Sequence, residues 1–231
     1  MMKTHYYFGW FNDTMPKEVG VLLNEDLSSK KSLVMICTTP SEYEYNESFS
    51  KWVKESWFDF AGVIFDEYYS IDYRLKKEEA QALLRNASAI LLHGGRPDYL
   101  KDFLAEYGMV EAIKESKATV VMGASAGAMN LSANFAYGKR IDDNHRESYE
   151  LYDGLGFNNF AFVSHASKNA EELACGEEIQ VLMPLSQKIA VYASCEESTI
   201  RVKDGRIGIL GDVYLITNGE IQKMQESNFD E

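Results

Sequence analysis

The chain has 231 residues, 45% of them hydrophobic and 26% charged, with only four prolines, a composition that buries a substantial core and is expected to fold as one domain over residues 1–231. A formal net charge of −13 argues against a nucleic-acid backbone or an anionic membrane as partner and favours a small molecule or peptide. No stretch has the length of an apolar membrane span, "MMKTHYYFGWFNDTM" lacks the apolar region of a secretory signal, and Cys37, Cys175 and Cys195 are odd in number and widely spaced, so reduced thiols in a cytoplasm are expected rather than disulfides or a zinc site.

Taken in order, strands are expected at "THYYFGWF" near the start, at 32–39, at "FAGVIFD" (60–66), at "SAILLHGG" (88–95) and at "ATVVMGAS" (118–125), each rich in β-branched or aromatic residues and most ending in turn residues. Helices are expected between them. "SEYEYNESFSKWVKESWFDF" spaces Tyr45, Phe49, Trp52, Val53 and Trp57 near the helical period, and "KKEEAQALLRNA" and "PDYLKDFLAEYGMVEAIKES" join strong helix formers to apolar stripes. "AGAMNLSANFA" reads as a further helix. This alternation predicts a parallel sheet wrapped by helices. After residue 186 the texture changes to "KIAVYASC", "STIRVKDGRIGILG" and "VYLITNGEIQKM", whose "KDG" and "NG" turns predict an antiparallel ribbon closing a sheet edge. The aromatic residues of "YYFGWF" and of 43–73 suit core packing first and a contact between two copies of the chain second.

The run "VVMGASAGAMN" (120–130) carries the chemistry. Gly123, Ser125 and Gly127 form G-x-S-x-G between a strand and a helix, the setting of a serine held at a sharp turn, while a plain turn with packing glycines is the bland alternative. The small neighbours Ala124, Ala126 and Ala128 favour the reactive reading, and the Ala126 N–H is placed to stabilise an oxyanion. A nucleophilic serine needs a base. Of the four histidines, His5 lies in the first strand and His145 in the polar run "IDDNHRESYE"; both read as structural or solvated. His165 ends "FAFVSHAS" and is the better-placed base, with His93 before "GG" as the alternative. Glu196 or Glu197 of "YASCEEST" emerges at the same sheet edge to orient the imidazole, unless the pair is only a solvated turn. Gly94 and Gly95 of "LLHGGRPDYL" allow close backbone approach and supply a second oxyanion donor. Neither glycine stretch matches a nucleotide-binding fingerprint.

Together, "GGRPDYL", "MGASAGAMNLS", "YDGLGFNNFAFVSH" and "YASCEESTIRVKDGRIGILG" resemble the S51 serine peptidases, the dipeptidase E and cyanophycinase group, over about residues 30–220. The resemblance implies a class I glutamine amidotransferase-like fold: a three-layer α/β/α sandwich with a mostly parallel sheet of flavodoxin-like topology and an antiparallel C-terminal extension. It also implies Ser125 as nucleophile, His165 as base, Glu196 as the acid, Gly94 and Gly95 in the oxyanion loop, and no metal or organic cofactor. Dipeptidase E members cleave peptides that begin with aspartate, and Arg96, Lys139 and Arg140 are the cations that would meet such a substrate. Arg96 and Pro97 stand where the family often has asparagine and a small residue, and Ser164 where proline often precedes the histidine, so the substrate-facing loop departs from the family pattern. The competing expectation is a catalytically silent binding or regulatory module on the same fold. An α/β-hydrolase esterase is disfavoured because no histidine follows residue 165, and a glutaminase would need cysteine at 125.

Overall fold

The computed structural model describes residues 3–138 and 148–227. In chain order, β1 (Thr4–Phe8) leads into α1 (Lys17–Asp26) and β2 (Ser32–Ile36). Next, α2 (Tyr43–Trp52) continues as a π-helical stretch over Val53–Asp59 before β3 (Glu67–Ile71), α3 (Lys77–Asn86) and β4 (Ala89–Leu92). Then come α4 (Pro97–Glu106), α5 (Met109–Lys114), β5 (Val120–Ala124), α6 (Ala126–Leu131), β6 (Asn134–Tyr137), β7 (Glu150–Asp153) and β8 (Phe160–Val163). The C-terminal part holds α7 (Ala170–Cys175), α8 (Glu177–Leu182), β9 (Ala190–Ser194), β10 (Thr199–Lys203), β11 (Arg206–Leu210), β12 (Val213–Thr217) and β13 (Glu220–Lys223).

The first sheet runs β11-β10-β1-β5-β4-β2-β3, parallel from β1 to β3 and antiparallel where β10 and β11 join. Counted from β2, its parallel part has the doubly wound order in which the strand sequence reverses between β2 and β4, with the N-terminal β1 in the outermost parallel place. Every residue of β1, β2, β4 and β5 is buried, because helices, and over β1 the second sheet, cover both faces and leave no polar alternation to the strands. Side chains still sort with period two. Tyr6, Leu33, Met35, Leu91 and Met122 face α1 and the π-helical Trp57 and Phe58, whereas Val34, Ile90, Leu92 and Val121 face α3, α4 and α5, and Tyr7 on the same face meets the second sheet.

The second sheet has the order β13-β12-β9-β8-β6-β7. It docks on the first through aromatic rings, with Phe160 and Phe162 centred 4.8 and 5.7 Å from Tyr7, and α7 and α8 cover its other face through Leu173, Ile179 and Leu182. The expected C-terminal ribbon is therefore divided. Strands β10 and β11 close the edge of the first sheet beside β1, as expected, while β9, β12 and β13 build the second sheet.

Two local expectations are corrected and one helix is added. The apolar run 60–66 is not a strand: the Val63 N–H donates to the Phe58 carbonyl at 2.8 Å, Gly62 takes φ +76°, and Val63 and Phe65 are buried in the first-face core. The strand is instead the following "EYYSI", a half-exposed edge whose polar composition hides it. The helix expected over 126–136 stops at Leu131, because Ser132 turns extended at φ −67°, ψ 174° and its hydroxyl donates to the Met129 or the Asn134 carbonyl, 2.7 and 2.8 Å away. Helix α1, behind Pro16, has no counterpart in the elements read from sequence. Among the described residues no helix is long and apolar enough to cross a membrane.

Candidate active site

The site begins with a strained serine. Ser125 turns the chain from β5 into α6 at φ 48°, ψ −111°, a conformation costing a residue with a Cβ about 1–3 kcal/mol. The surroundings hold it there. Its N–H donates to the Phe8 carbonyl at the end of β1, 3.0 Å away, and its carbonyl accepts from Met129 at 2.9 Å. A Cβ on Gly127 would stand 2.0 Å from the Leu92 carbonyl oxygen, so only glycine lets α6 lie across the end of β4. The hydroxyl-bearing residue is 7% exposed, and the glycines of the motif serve both readings at once: they pack the turn and thereby present the serine.

The partners come from the second sheet. Strands β8 and β9 are parallel neighbours with Val163 opposite Ala193, so the segments that follow them leave the sheet side by side. His165, two residues beyond β8's last pair, takes φ 56° and brings Nε2 to 2.7 Å from Ser125 Oγ. Its Nδ1 lies 3.4 Å from Glu196 Oε1, at the long limit of a hydrogen bond. With the proton on Nδ1 facing the carboxylate, Nε2 offers its lone pair to the serine O–H. Of the two candidate acids it is Glu196 that meets the imidazole; Glu197 Oε1 instead accepts from the Asn12 backbone N–H at 2.8 Å.

Asn12 escaped sequence reasoning. Its side-chain amide donates to Glu196 Oε2 at 2.7 Å, while the Glu197 N–H donates to the Trp10 carbonyl at 2.7 Å. The segment after β1 thus touches both the acid-bearing turn and, through Phe8, the serine turn. The Asn12 amide, and after it the His165 ring, holds the Glu196 carboxyl below the usual carboxylate range, against the opposing effect of partial burial. No motif marks an asparagine 184 residues away from its partner in the chain.

Ser125 and His165 open on a cavity of about 300 Å³ whose wall includes Gly95, Met129, Tyr137, Tyr149 and Glu178, a volume at the small end for ligand pockets. Gly95 has φ +133°, and a Cβ there would stand 2.2 Å from Thr38 Oγ1; Thr38 in turn donates to the Gly94 carbonyl at 2.7 Å. Gly95 thus lines the same cavity as Ser125, and Ala126 follows the serine directly at the start of α6. Arg96 points its guanidinium at Asp98, with contacts of 3.2 and 2.7 Å, and stacks on Tyr99 at 3.7 Å; it does not line the cavity. Lys139, Arg140 and His145 lie outside the described residues. His93, the alternative base, is buried against the edge of Phe49, and burial pushes its pKa down to about 3. His5 packs on Phe157 and is also buried, with a pKa lowered to about 4, chiefly by burial. Among the described residues no group of His, Cys, Asp and Glu is arranged to hold a metal ion.

The model of peptidase family S51 matches residues 26–210, a span that includes the serine turn, His165 and Glu196. The chain belongs to peptidase family S51. Likeness of fold extends over nearly the whole chain: a crystal structure of a peptidase from an acI-B1 actinobacterium superposes with a TM-score of 0.71 at 20% identity, covering 99% of this chain and 96% of the other. A Listeria monocytogenes protein described as a peptidase E superposes with a TM-score of 0.63, also at 20% identity, covering 91% and 98%. No curated protein sequence matches the chain. Membership of S51 makes the protein a peptidase and accords with the α/β architecture read from its sequence.

Proposed function

We propose that this S51 peptidase hydrolyses amide bonds in small peptides, in the manner of dipeptidase E, with Ser125, His165 and Glu196 as its catalytic groups. The observation that carries the reading is the 2.7 Å separation of Ser125 Oγ and His165 Nε2, at a serine whose backbone is held in a strained conformation. The serine oxygen attacks the substrate carbonyl carbon as its proton passes to Nε2. The oxyanion formed is met by the N–H groups of Gly95 and Ala126, the imidazolium is stabilised by Glu196, and its proton goes to the departing amine as the C–N bond breaks. Water then cleaves the acyl ester by the same route, returning the proton to the serine. The free thiols of Cys37, Cys175 and Cys195 support a reducing, cytoplasmic setting.

The test is hydrolysis of a dipeptide panel, aspartyl dipeptides included, by the native chain and by Ser125→Ala and His165→Ala. Each substitution is expected to lower kcat/KM by at least about a thousandfold, since members of such a constellation act as a unit. Undiminished turnover in Ser125→Ala removes the mechanism. A serine-directed phosphonate that fails to label the native chain decides for the silent binding module instead.

A further inference from the structure

The described wall of the cavity does not carry the charge that an aspartyl substrate needs. Among the described residues no lysine or arginine lines it. Arg96, the cation nearest in sequence to the oxyanion loop, is taken up by Asp98, a buried carboxylate, and by the face of Tyr99. The one carboxylate among the described residues of the wall is Glu178, in the first turn of α8. This carboxylate is half-buried and forms no ion pair or hydrogen bond with any other described residue. A carboxylate that shares a cavity wall with Met129, Ala136 and Val163, with no cation among the described residues beside it, attracts a cationic ligand and repels an acidic one.

We infer that Glu178 is the anchor for a positively charged group of the substrate, an ammonium or guanidinium, and that the peptidase selects peptides by that charge. The inference rests on the cavity beside Ser125 being the substrate site, as proposed above. Two groups of a peptide carry the required chemistry: the free α-amino group of its first residue, and a basic side chain. An α-amino anchor close to the serine would also act as a ruler, confining cleavage to the first bonds of a chain in a cavity of about 300 Å³.

Binding separates this inference from catalysis. Calorimetry on Ser125→Ala, with Ala-Ala, Lys-Ala, Asp-Ala and the N-acetylated forms of the first two, reads affinity without turnover. Peptides bearing a net cationic group are expected to bind about tenfold tighter than their uncharged counterparts, the worth of one charge-assisted contact in a half-buried site. That advantage should vanish in Ser125→Ala/Glu178→Gln, survive in Ser125→Ala/Glu177→Gln, whose exposed Glu177 lies outside the cavity wall, and weaken with added salt. If acetylation abolishes it for both peptides, the α-amino group is the ligand; if acetyl-Lys-Ala keeps it, the side chain is. Equal binding of Ala-Ala, acetyl-Ala-Ala and acetyl-Lys-Ala, an affinity for Asp-Ala equal to or greater than that for Ala-Ala, or no peptide binding at all overturns the assignment. Serine-dependent hydrolysis by the native chain without charge preference would sink Glu178 and leave the catalytic reading standing; charge-selective binding without hydrolysis would do the reverse.

Discussion

Replacing His93 with phenylalanine tests whether this imidazole is a neutral structural group rather than a base of the site. The ring is 2% exposed, its Nε2 finds no hydrogen-bond partner among the described residues, and burial lowers its pKa from 6.5 to about 3. Between those two values the unfolded chain carries a proton on this residue that the folded chain does not. Stability is therefore untouched by His93 above the unfolded value and is lost as pH falls below it, at about 1.4 kcal/mol per pH unit. From neutrality to about pH 5 the loss attributable to His93 is about 2 kcal/mol, or roughly 4–8 °C in Tm for a chain of this size. Phenylalanine cannot ionise. Carboxyls held low in the fold, such as Asp212 and Glu196, titrate alike in both proteins and cancel in the difference. Urea or thermal unfolding of the native chain and of His93→Phe at about pH 7 and about pH 5 reads that difference directly, and any repacking cost appears at both pH values. The native chain should lose about 2 kcal/mol more than the variant on acidification. Parallel losses would show that His93 is not held neutral by burial and would undo its demotion as the alternative base.

Two further outcomes are expected. Asn12→Ala removes the donor to Glu196 Oε2 and leaves the acid free to turn from His165; kcat should fall about tenfold, within the worth of one charge-assisted hydrogen bond, with KM little changed, and dipeptide kinetics showing an unchanged kcat would remove Asn12 as a positioning residue. Gly127→Ala puts a methyl group where the Leu92 carbonyl oxygen lies 2.0 Å away; it should destabilise the chain by about 3 kcal/mol, the upper range of overpacking costs, and slow phosphonate labelling of Ser125, whereas an unchanged urea midpoint would show that α6 does not rest on β4 through this glycine.

How much was legible depends on the range of each interaction. The turn around Ser125 could be read because every residue that shapes it is local: the apolar run to Met122, the small residues from Gly123 to Ala128, and the helix that follows. The parallel core was legible for the same reason, since strands buried on both faces must be apolar throughout. The edge strand Glu67–Ile71 was missed because an edge has no need of apolar residues, and the run at 60–66 misled because a buried turn has the same need of them as a strand.

The amino-acid sequence by itself determined the α/β class, the strained serine with its small neighbours, and a short list of partners: two histidines and two glutamates. Only the tertiary structure shows which of them lie beside Ser125. His165 lies 40 residues from Ser125 in the chain and Glu196 a further 31, and they meet because parallel pairing of β8 with β9 sends both following loops to one edge of a second sheet that sequence patterning did not reveal. Asn12 meets Glu196 and Glu178 reaches the cavity wall by that docking alone. Pairing register and sheet-on-sheet packing are set by contacts between distant segments, so the residues they bring together leave no periodic trace in any one stretch of the chain.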